Sequence, residues 1–507
     1  MLPVGAGFKL ATTYNAGVLL IYTGGTIGAV HADPQDPLSP LVPGGPDRIL
    51  AALPGYLPGD KEIVLGGKAV RIEAVALGKP RDSSDIGARD WWALARLIEQ
   101  HYDAYEGFVV LHGTDTLAYT SSGLAFMLEN LAKPVVITGS QRPIGEPRSD
   151  AVRNLVTAIE FAAARTLGHP VVPEVSVLFH HRLFRGCRVR KVSTDDYEGF
   201  DSPNLPPLGR AGERIEVNRA LIRRPSGSSA RLTVSEPPAM DVMALELFPG
   251  IRPAVLRALF KTSGLRGVVL KTFGAGNAPT DPEFLAAIEY GVRERGLLMV
   301  NVTQCLRGEV APGRYQASAG LLAAGVVGGL DLTPEAALTK LGVVLGQGFE
   351  GRDAADRMQL DLRGEQRASI HNIHLRPLEG RVPLILEQDG EVLQGQVPHQ
   401  ERRFTRAFLR LLGIKTSNGQ QGRLALEVYL NELDAKETTT GRLPTRLGRV
   451  DRSCAGDREN LILNVSRHTE RLINRRHSLT LTLVPLENSD LTIQSAHIAL
   501  TTSLQAN

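Results

Sequence analysis

Cysteine is scarce in this chain of 507 residues, and neither sign of charge dominates it. The three cysteines, Cys187, Cys305 and Cys454, are too few and too widely spaced for a disulfide framework, and no C-x-x-C pair suggests a zinc site. This pattern fits a reducing compartment. The formal net charge of +3 is too small to indicate a nucleic-acid partner.

Long apolar runs are also missing. The first 25 residues lack a basic start followed by an uninterrupted apolar segment and a cleavage site, so we expect no signal peptide. The uncharged, glycine-rich run at residues 317–330 falls short of the ~18 residues that a membrane helix needs. We therefore expect a cytoplasmic protein without a membrane partner.

The composition that remains is that of an ordinary globular protein, with 43% hydrophobic and 22% charged residues. Short apolar runs alternate with helical stretches through the first two thirds of the chain, for example at residues 18–22, 107–111 and 134–138. Such runs between helices indicate a sheet buried on both faces, and hence a largely parallel α/β domain. A stretch rich in Pro, Gly, Ser and Arg, residues 202–238, predicts a linker.

The pattern changes after about residue 364. One amphipathic helix is predicted over residues 401–412. Elsewhere apolar residues recur with period two, as at Leu424, Leu426, Val428 and Leu430. This alternation predicts an antiparallel sheet with one wet face, and we interpret the region as a separate module of β-sandwich type.

Two Thr/Gly elements follow predicted strands, at residues 22–28 and 111–116. Ligands bind outside the carboxyl ends of strands in open α/β sheets, and glycine lets backbone N–H groups approach a substrate oxygen. A threonine hydroxyl becomes a nucleophile when a neighbour takes its proton, and Asp115 with a lysine could do so. Taken alone, each element also fits a simple turn. The G-x-G-x-x-G spacing of a dinucleotide loop is absent, and the pair His371 and His374 lacks further metal ligands nearby in sequence.

Eight motifs occur in an order that resembles the bacterial-type L-asparaginases, specifically their cytoplasmic type I branch. They are YTGGTIG (residues 22–28), DSSD (82–85), LHGTDTLAYTSSGLAFML (111–128), KPVVITGSQRP (133–143), RSDAVRNL (148–155), FRGCRVRK (184–191), GAGNAP (274–279) and VNVTQC (300–305). The resemblance covers about residues 17–365, which is two thirds of the chain.

The resemblance implies an α/β fold of two domains, the first flavodoxin-like, followed here by the β-sandwich-like module. We place the first domain at residues 15–215, a linker at 216–238, the second, smaller α/β domain at 239–368 and the module, of unknown function, at 376–507. The resemblance further implies hydrolysis of L-asparagine to L-aspartate and ammonia by a homodimer or homotetramer, with no metal and no cofactor.

The resemblance also assigns catalytic roles to residues. Thr26 matches the nucleophile that attacks the amide carbon. Thr114, Asp115 and Lys191 match a second triad, in which Lys191 and Asp115 activate Thr114 or the hydrolytic water.

Substrate-binding roles follow in the same way. Ser83 matches the residue that binds the α-carboxylate, and Ser84 stands where many members carry Gln. Asp115 would also meet the α-ammonium group. Asn277 matches an Asn contributed across the dimer.

One departure from the family pattern lies in the lid after the nucleophile. The family places a Tyr there, whereas Leu38 occupies the matching position in this chain. Tyr22 matches a separate strand position, and His31 is interpreted as a solvated lid residue. Slow turnover, a different base or a binding-only descendant would each explain the loss.

Two alternatives to an asparaginase therefore stay open. A non-catalytic amino-acid sensor would keep the pocket and signal through the C-terminal module. A subunit of the archaeal glutamyl-tRNA amidotransferase is disfavoured, because that protein carries a small domain before the first motif, where this chain has only a short tail.

Overall fold

The computed structural model describes most of the first two thirds of the chain and the strands of the remainder. The described residues are 17–33, 36, 38–223, 231–311, 316–377, 384–386, 391–396, 404–416, 423–431, 445–453, 459–466, 478–485, 491–493 and 495–503.

The first unit is built on one large sheet with helices on its faces. Its strands are β1 (Val18–Gly24), β2 (Ala29–His31), β3 (Leu41–Pro43), β4 (Tyr56–Leu57), β5 (Glu62–Leu65), β6 (Lys68–Arg81), β7 (Gly107–Leu111), β8 (Leu128–Glu129), β9 (Val135–Thr138), β10 (Val175–Phe179), β11 (Arg182–Arg185), β12 (Arg190–Lys191), β13 (Phe200–Asp201), β14 (Gly209–Ala211), β15 (Ile215–Val217) and β16 (Thr233–Val234). Its helices are α1 (Pro46–Ala51), α2 (Ala88–Gln100), α3 (Leu117–Met127), α4 (Ala151–Ala162) and α5 (Ala164–Leu167), with short 3₁₀ turns at Thr26–Gly28, Ser83–Asp85 and Gly186–Arg188.

The large sheet has ten strands in the order β15-β14-β11-β10-β9-β7-β1-β6-β5-β4. The five central strands, from β10 to β6, are parallel, and every residue of β1, β7, β9 and β10 is buried. Numbered by their order in the chain, these five strands run 5-4-3-1-2, which is the flavodoxin-like order. The predicted parallel flavodoxin-like domain is thereby confirmed. The sheet reverses direction of winding between β1 and β7, where such folds place their ligands.

A second, smaller unit follows. Its strands are β17 (Val242–Glu246), β18 (Gly267–Thr272), β19 (Leu298–Thr303) and β20 (Val327–Gly328), and its helices are α6 (Pro253–Phe260), α7 (Pro282–Glu289), which continues into a π-helical turn at Tyr290–Glu294, α8 (Gln316–Ala323), α9 (Pro334–Gly346) and α10 (Gly351–Gln359). The four strands form one parallel sheet in chain order. Helix α9 packs on α3, so that one apolar core is shared by both units.

A short turn after α10, residues 361–365, ties the two units together, and we call it the clasp. Glu365 in the clasp forms an ion pair of 2.6 Å with Lys340 of α9, and both side chains are completely buried. The clasp also reaches the first unit, where Arg363 donates to the carbonyl of Ala125 and Arg188 donates to the carbonyl of Gly364. Burial alone would raise the pKa of Glu365, but the Lys340 ammonium holds that pKa below its usual value.

The C-terminal module consists of antiparallel strands. They are β21 (Ala368–Pro377), β22 (Leu384–Leu386), β23 (Glu391–Gln396), β24 (Phe404–Thr416), β25 (Arg423–Asn431), β26 (Thr445–Ser453), β27 (Glu459–Asn464), β28 (Ser478–Pro485), β29 (Leu491–Ile493) and β30 (Ser495–Ser503). They pair in the order β22-β29-β24-β30-β21-β23-β28-β25-β26, with β27 added along β24. A separate β-rich C-terminal domain is therefore present, as the period-two pattern predicts.

The helix predicted over residues 401–412 is wrong. Residues 404–416 form the strand β24, while residues 401–403 lie outside the described part of the chain. Ala407, Leu409 and Leu411 are all buried at period two and pair with three buried residues of β30. Apolar residues are so dense in this short run that they satisfy both a helical and a strand period, and the cross-strand partners decide between them.

Candidate active site

Two loops meet at the point where the large sheet reverses its winding. The loop after β1 carries Thr26, and the loop after β7 carries Thr114. Gly25 has a φ of 84°, and a Cβ built there would lie 2.3 Å from the Cα of Gly113. The two loops therefore touch backbone to backbone, and glycine is required at this contact. The structure thus brings the loops of the two candidate threonines together.

The hydroxyl of Thr114 has an amine beside it. Lys191 Nζ, on β12, donates to Thr114 Oγ1 at 2.9 Å and forms an ion pair of 2.5 Å with Asp115. Thr114 is buried, the Lys191 side chain is 20% exposed, and the Asp115 carboxylate is 63% exposed. The amine lies between a buried hydroxyl and an accessible acid, an arrangement that can hold or transfer a proton.

Ser83 belongs to a third loop at the same place. It begins the 3₁₀ turn after β6, is buried, and accepts a hydrogen bond of 2.6 Å from Thr116 Oγ1 at its carbonyl oxygen. A Cβ on Gly113 would lie 2.6 Å from Ser83 Oγ, so this hydroxyl faces the loop of Thr114 directly.

Ser84 is the exposed neighbour of Ser83. Its hydroxyl donates to Asp82 Oδ1 at 2.6 Å, and its backbone N–H donates to the same oxygen. These two bonds hold the pKa of Asp82 below its usual value. Ser84 is therefore engaged in fixing its own loop.

His112 supports the loop of Thr114 from behind and was not singled out by the sequence analysis, although it stands inside the second Thr/Gly element. It is completely buried, and burial lowers its pKa to about 4, so the ring is neutral at neutral pH. Nδ1 donates to the carbonyl of Gly113, because a carbonyl can only accept. Nε2 then accepts from Thr120 Oγ1 at 2.9 Å. The partners thus assign one tautomer and one ring orientation.

Asn277 lies apart from this group. It follows β18 in the second unit, in a turn closed by pairing of Phe273 with Asn277. Its Oδ1 is buried without a hydrogen-bond partner among the described residues, and no hydrogen bond found there links Asn277 to Thr114 or Lys191. A single chain therefore does not engage Asn277 in the site, and its contribution across a dimer stays a prediction.

The lid after Thr26 is a short hairpin of β2 and β3. Leu38, at its tip, is 91% exposed. His31 Nδ1 donates to the carbonyl of Ser39 at 3.0 Å, which fixes the ring inside the hairpin, and its Nε2 lies 4.0 Å from Glu146.

Tyr22 is unsuited to replace a lid phenol. Its hydroxyl is buried without a partner among the described residues and packs against Gly28, where a Cβ would lie 2.4 Å from the oxygen. Burial raises the pKa of Tyr22 to about 12.

No group of three or more His, Cys, Asp or Glu side chains could hold a metal ion among the described residues. None of the helices described is long and apolar enough to cross a bilayer.

The fold and the site define an α/β protein whose candidate site residues lie at the switch point of a flavodoxin-like sheet. Two family models match the chain: "Asparaginase, N-terminal" over residues 17–223 and "Glutaminase/Asparaginase C-terminal domain" over residues 241–358. The chain belongs to the asparaginase family.

Several known proteins are similar to this chain. L-asparaginase 1 of Escherichia coli K12 is 42% identical over 284 residues, which are 56% of this chain and 81% of that protein. The 60 kDa lysophospholipase of Mus musculus is 41% identical over 390 residues, 74% of this chain and 67% of that protein. The match to its Homo sapiens counterpart spans 61% of that protein. The crystal structure of L-asparaginase I from Vibrio cholerae is 38% identical, with a TM-score of 0.60 over 69% of this chain and 99% of that chain.

Proposed function

We propose that this protein hydrolyses the side-chain amide of L-asparagine to L-aspartate and ammonia. The observation that carries the proposal is the position of Lys191 Nζ, 2.9 Å from Thr114 Oγ1 and 2.5 Å from the Asp115 carboxylate. This group adjoins the loop of Thr26 at the switch point of the sheet. Membership of the asparaginase family supports an amidohydrolase.

In the proposed reaction the Thr26 hydroxyl attacks the amide carbon, and ammonia leaves with the hydroxyl proton. Water then hydrolyses the resulting ester, which restores the hydroxyl and releases aspartate. Lys191 and Asp115 take up and return the proton of Thr114 or of the water. Backbone N–H groups near the two threonines would stabilise the oxyanion, an interaction worth about 3 kcal/mol for one donor.

Substrate binding is proposed for the neighbouring loops. Ser83 would hold the α-carboxylate, Ser84 would line the substrate site beside it, and Asp115, which is accessible, would meet the α-ammonium group. Asn277 would enter the site from a neighbouring subunit, so the proposal includes a homodimer or homotetramer. A cytoplasmic location is proposed with it.

A second candidate is a sensor that binds an amino acid without turnover. The exposure of Leu38 favours it, because a leucine at this position supplies no phenol to the nucleophile. A tRNA-dependent amidotransferase subunit is a third candidate, and no observation in the structure favours it.

The test is ammonia release from asparagine by the full chain and by Thr114→Val. Valine keeps the shape but removes the hydroxyl next to Lys191, so we expect kcat/KM to fall about 10³-fold. Thr262→Val, at an exposed threonine of the second unit, is the matched control and should behave like the wild type.

The competing outcomes are distinguishable. If the wild type binds asparagine or aspartate in calorimetry but releases no ammonia, the sensor is correct. Lysophosphatidylcholine is assayed beside asparagine, because two similar proteins bear the name lysophospholipase. Fatty-acid release that Thr114→Val abolishes, without ammonia release from asparagine, would refute the proposed substrate.

A further inference from the structure

A cavity of about 90 Å³ lies between the first unit and the clasp, and we call it the arginine cavity. Three arginines line it: Arg185 from β11, Arg223 from the segment after β15, and Arg363 from the clasp. Glu174 is the one carboxylate among the lining residues. None of these four residues belongs to the proposed catalytic or substrate-binding set.

Two of the guanidinium groups are held side by side. Arg223 Nη2 and Arg363 Nη1 each donate to the carbonyl oxygen of Leu362, both at 3.1 Å. Two like charges that share one acceptor repel each other, and the repulsion is poorly screened in a partly buried site. The pair therefore places two positive charges next to each other at the cavity wall.

The three arginines are neutralised unequally. Arg185 forms a buried ion pair of 2.6 Å with Glu174, and Arg223 reaches Asp361 at 2.9 Å. Arg363 instead donates to two carbonyl oxygens, and Glu129 lies 3.7 Å away.

Burial is the main cause that lowers the pKa of Arg363, which reflects the cost of holding this charge out of water. Arg363 thus has the longest ion pair of the three arginines in the cavity wall.

We propose that the arginine cavity binds a compact oxyanion, held by the paired guanidinium groups of Arg223 and Arg363. Guanidinium forks bind carboxylate, phosphate and sulfate oxygens through two parallel hydrogen bonds. The volume would admit roughly six waters, which is enough for a small anion and too little for a nucleotide. Such an anion would offset the repulsion between the two guanidinium groups. It would also give Arg363 a closer negative charge than Glu129.

The experiment measures the thermal unfolding midpoint of the full chain in sodium phosphate, sodium sulfate and sodium acetate. Ionic strength is held constant with sodium chloride. We expect a saturable rise in the midpoint with at least one of the three anions. The effective anion distinguishes a tetrahedral oxyanion from a carboxylate.

Arg363→Gln should weaken the apparent affinity at least tenfold, because it removes one fork of the pair. Arg96→Gln, at an exposed arginine of α2, is the matched control and should keep the wild-type response. If Arg363→Gln does not fold, Arg363→Lys keeps the charge without the fork, and we expect weaker binding from it as well.

A rise in the midpoint no larger than that in sodium chloride would overturn the proposal. A rise in both Arg363 variants equal to that of the wild type would overturn it as well. Because the readout is unfolding, the result is independent of whether the protein hydrolyses asparagine.

Discussion

The first unit and the C-terminal module bury their strands in different ways. In the first unit the central parallel strands are covered by helices on both faces, and their carboxyl ends open into loops that carry Thr26, Thr114 and Ser83. The module pairs antiparallel strands through most of their length, and its core comes from residues such as Leu409 and Ile498. Parallel strands with crossovers collect loop residues at one edge, whereas adjacent antiparallel strands do not.

Buried charge distinguishes the two regions as well. In the first two units buried cations have close acidic partners, as in Lys340 with Glu365 and Arg188 with Asp331. Arg410, in the module, is buried, and its Nε has no hydrogen-bond partner among the described residues. Burial lowers the pKa of Arg410 to about 10. The clasp thus contains a buried pair of opposite charges, whereas the described part of the module contains a buried arginine whose Nε has no partner.

The largest effect is expected from breaking the buried pair of the clasp. Lys340→Met leaves the Glu365 carboxylate without its cation in a fully buried site. Such a change costs about 3–5 kcal/mol of the free energy of unfolding, measured by denaturant titration. Arg96→Met, which breaks an exposed pair with Glu99 on α2, is the control and should cost less than about 1 kcal/mol. Equal effects of the two variants would show that the clasp is not a stabilising element.

The next effect depends on pH and concerns His112. Its folded pKa of about 4 lies below the unfolded value, so the unfolded state binds more protons as the pH falls from about 6.5. Stability from this residue is complete above that pH and is lost as the pH falls toward about 4, by about 3 kcal/mol. We expect the unfolding free energy of His112→Gln to fall less steeply over this window than that of the wild type. His101→Gln, at a partly exposed histidine, should keep the wild-type slope, and a matching slope in His112→Gln would contradict the assignment.

A smaller effect is expected from removing the module. A chain that ends after Arg367 keeps the clasp and every proposed site residue, and it loses a small apolar contact of Ala368 and Ile370 with Leu330. We expect ammonia release within about threefold of the full chain and a loss of stability of about 1–2 kcal/mol, from the exposed apolar groups. A chain that ends after Leu360 also removes the clasp and should not fold stably. If both truncated chains were equally stable and released ammonia equally fast, the clasp would contribute no more than the module.

The smallest effect is expected at the lid tip. Leu38 is almost fully exposed, so Leu38→Ala should change the free energy of unfolding by less than about 0.5 kcal/mol. If Leu38 takes no part in catalysis, kcat for asparagine should change less than about twofold, and a fall beyond tenfold would show that the lid tip closes on the substrate. Ser39→Ala removes the hydroxyl that closes the turn with Asp36. Its comparison with Leu38→Ala separates an effect of lid geometry from an effect of the Leu38 side chain.

Much of the first unit could be predicted from its sequence, because buried parallel strands are short apolar runs and their ends are marked by glycine. Residues 18–22 and 107–111 were predicted as buried strands and lie in β1 and β7. The antiparallel strands β4, β5, β11, β14 and β15 were not predicted, since each is only two to four residues long. Strand β24 was misassigned, because local spacing fits two periods and only the partner strand decides.

The site was predictable as far as local motifs reach. The motifs place Thr26 and Thr114 at strand ends, and the contact of their loops rests on two glycines that meet across the switch point. The contacts of Lys191 join residues far apart in the chain, so spacing alone could not reveal them. The arginine cavity was not foreseen for the same reason, since Arg223 and Arg363 meet only after folding.

The clasp is also joined directly to the first strand of the module. The first strand of the module begins at Ala368, and Ser369 Oγ already accepts a hydrogen bond of 2.8 Å from the backbone of Asp361. The backbone N–H of Arg367 donates a hydrogen bond of 2.8 Å to Asp331 Oδ1. The first strand of the module therefore follows the clasp without an intervening linker, and a variant that shifts this strand would also shift Asp361, the ion-pair partner of Arg223.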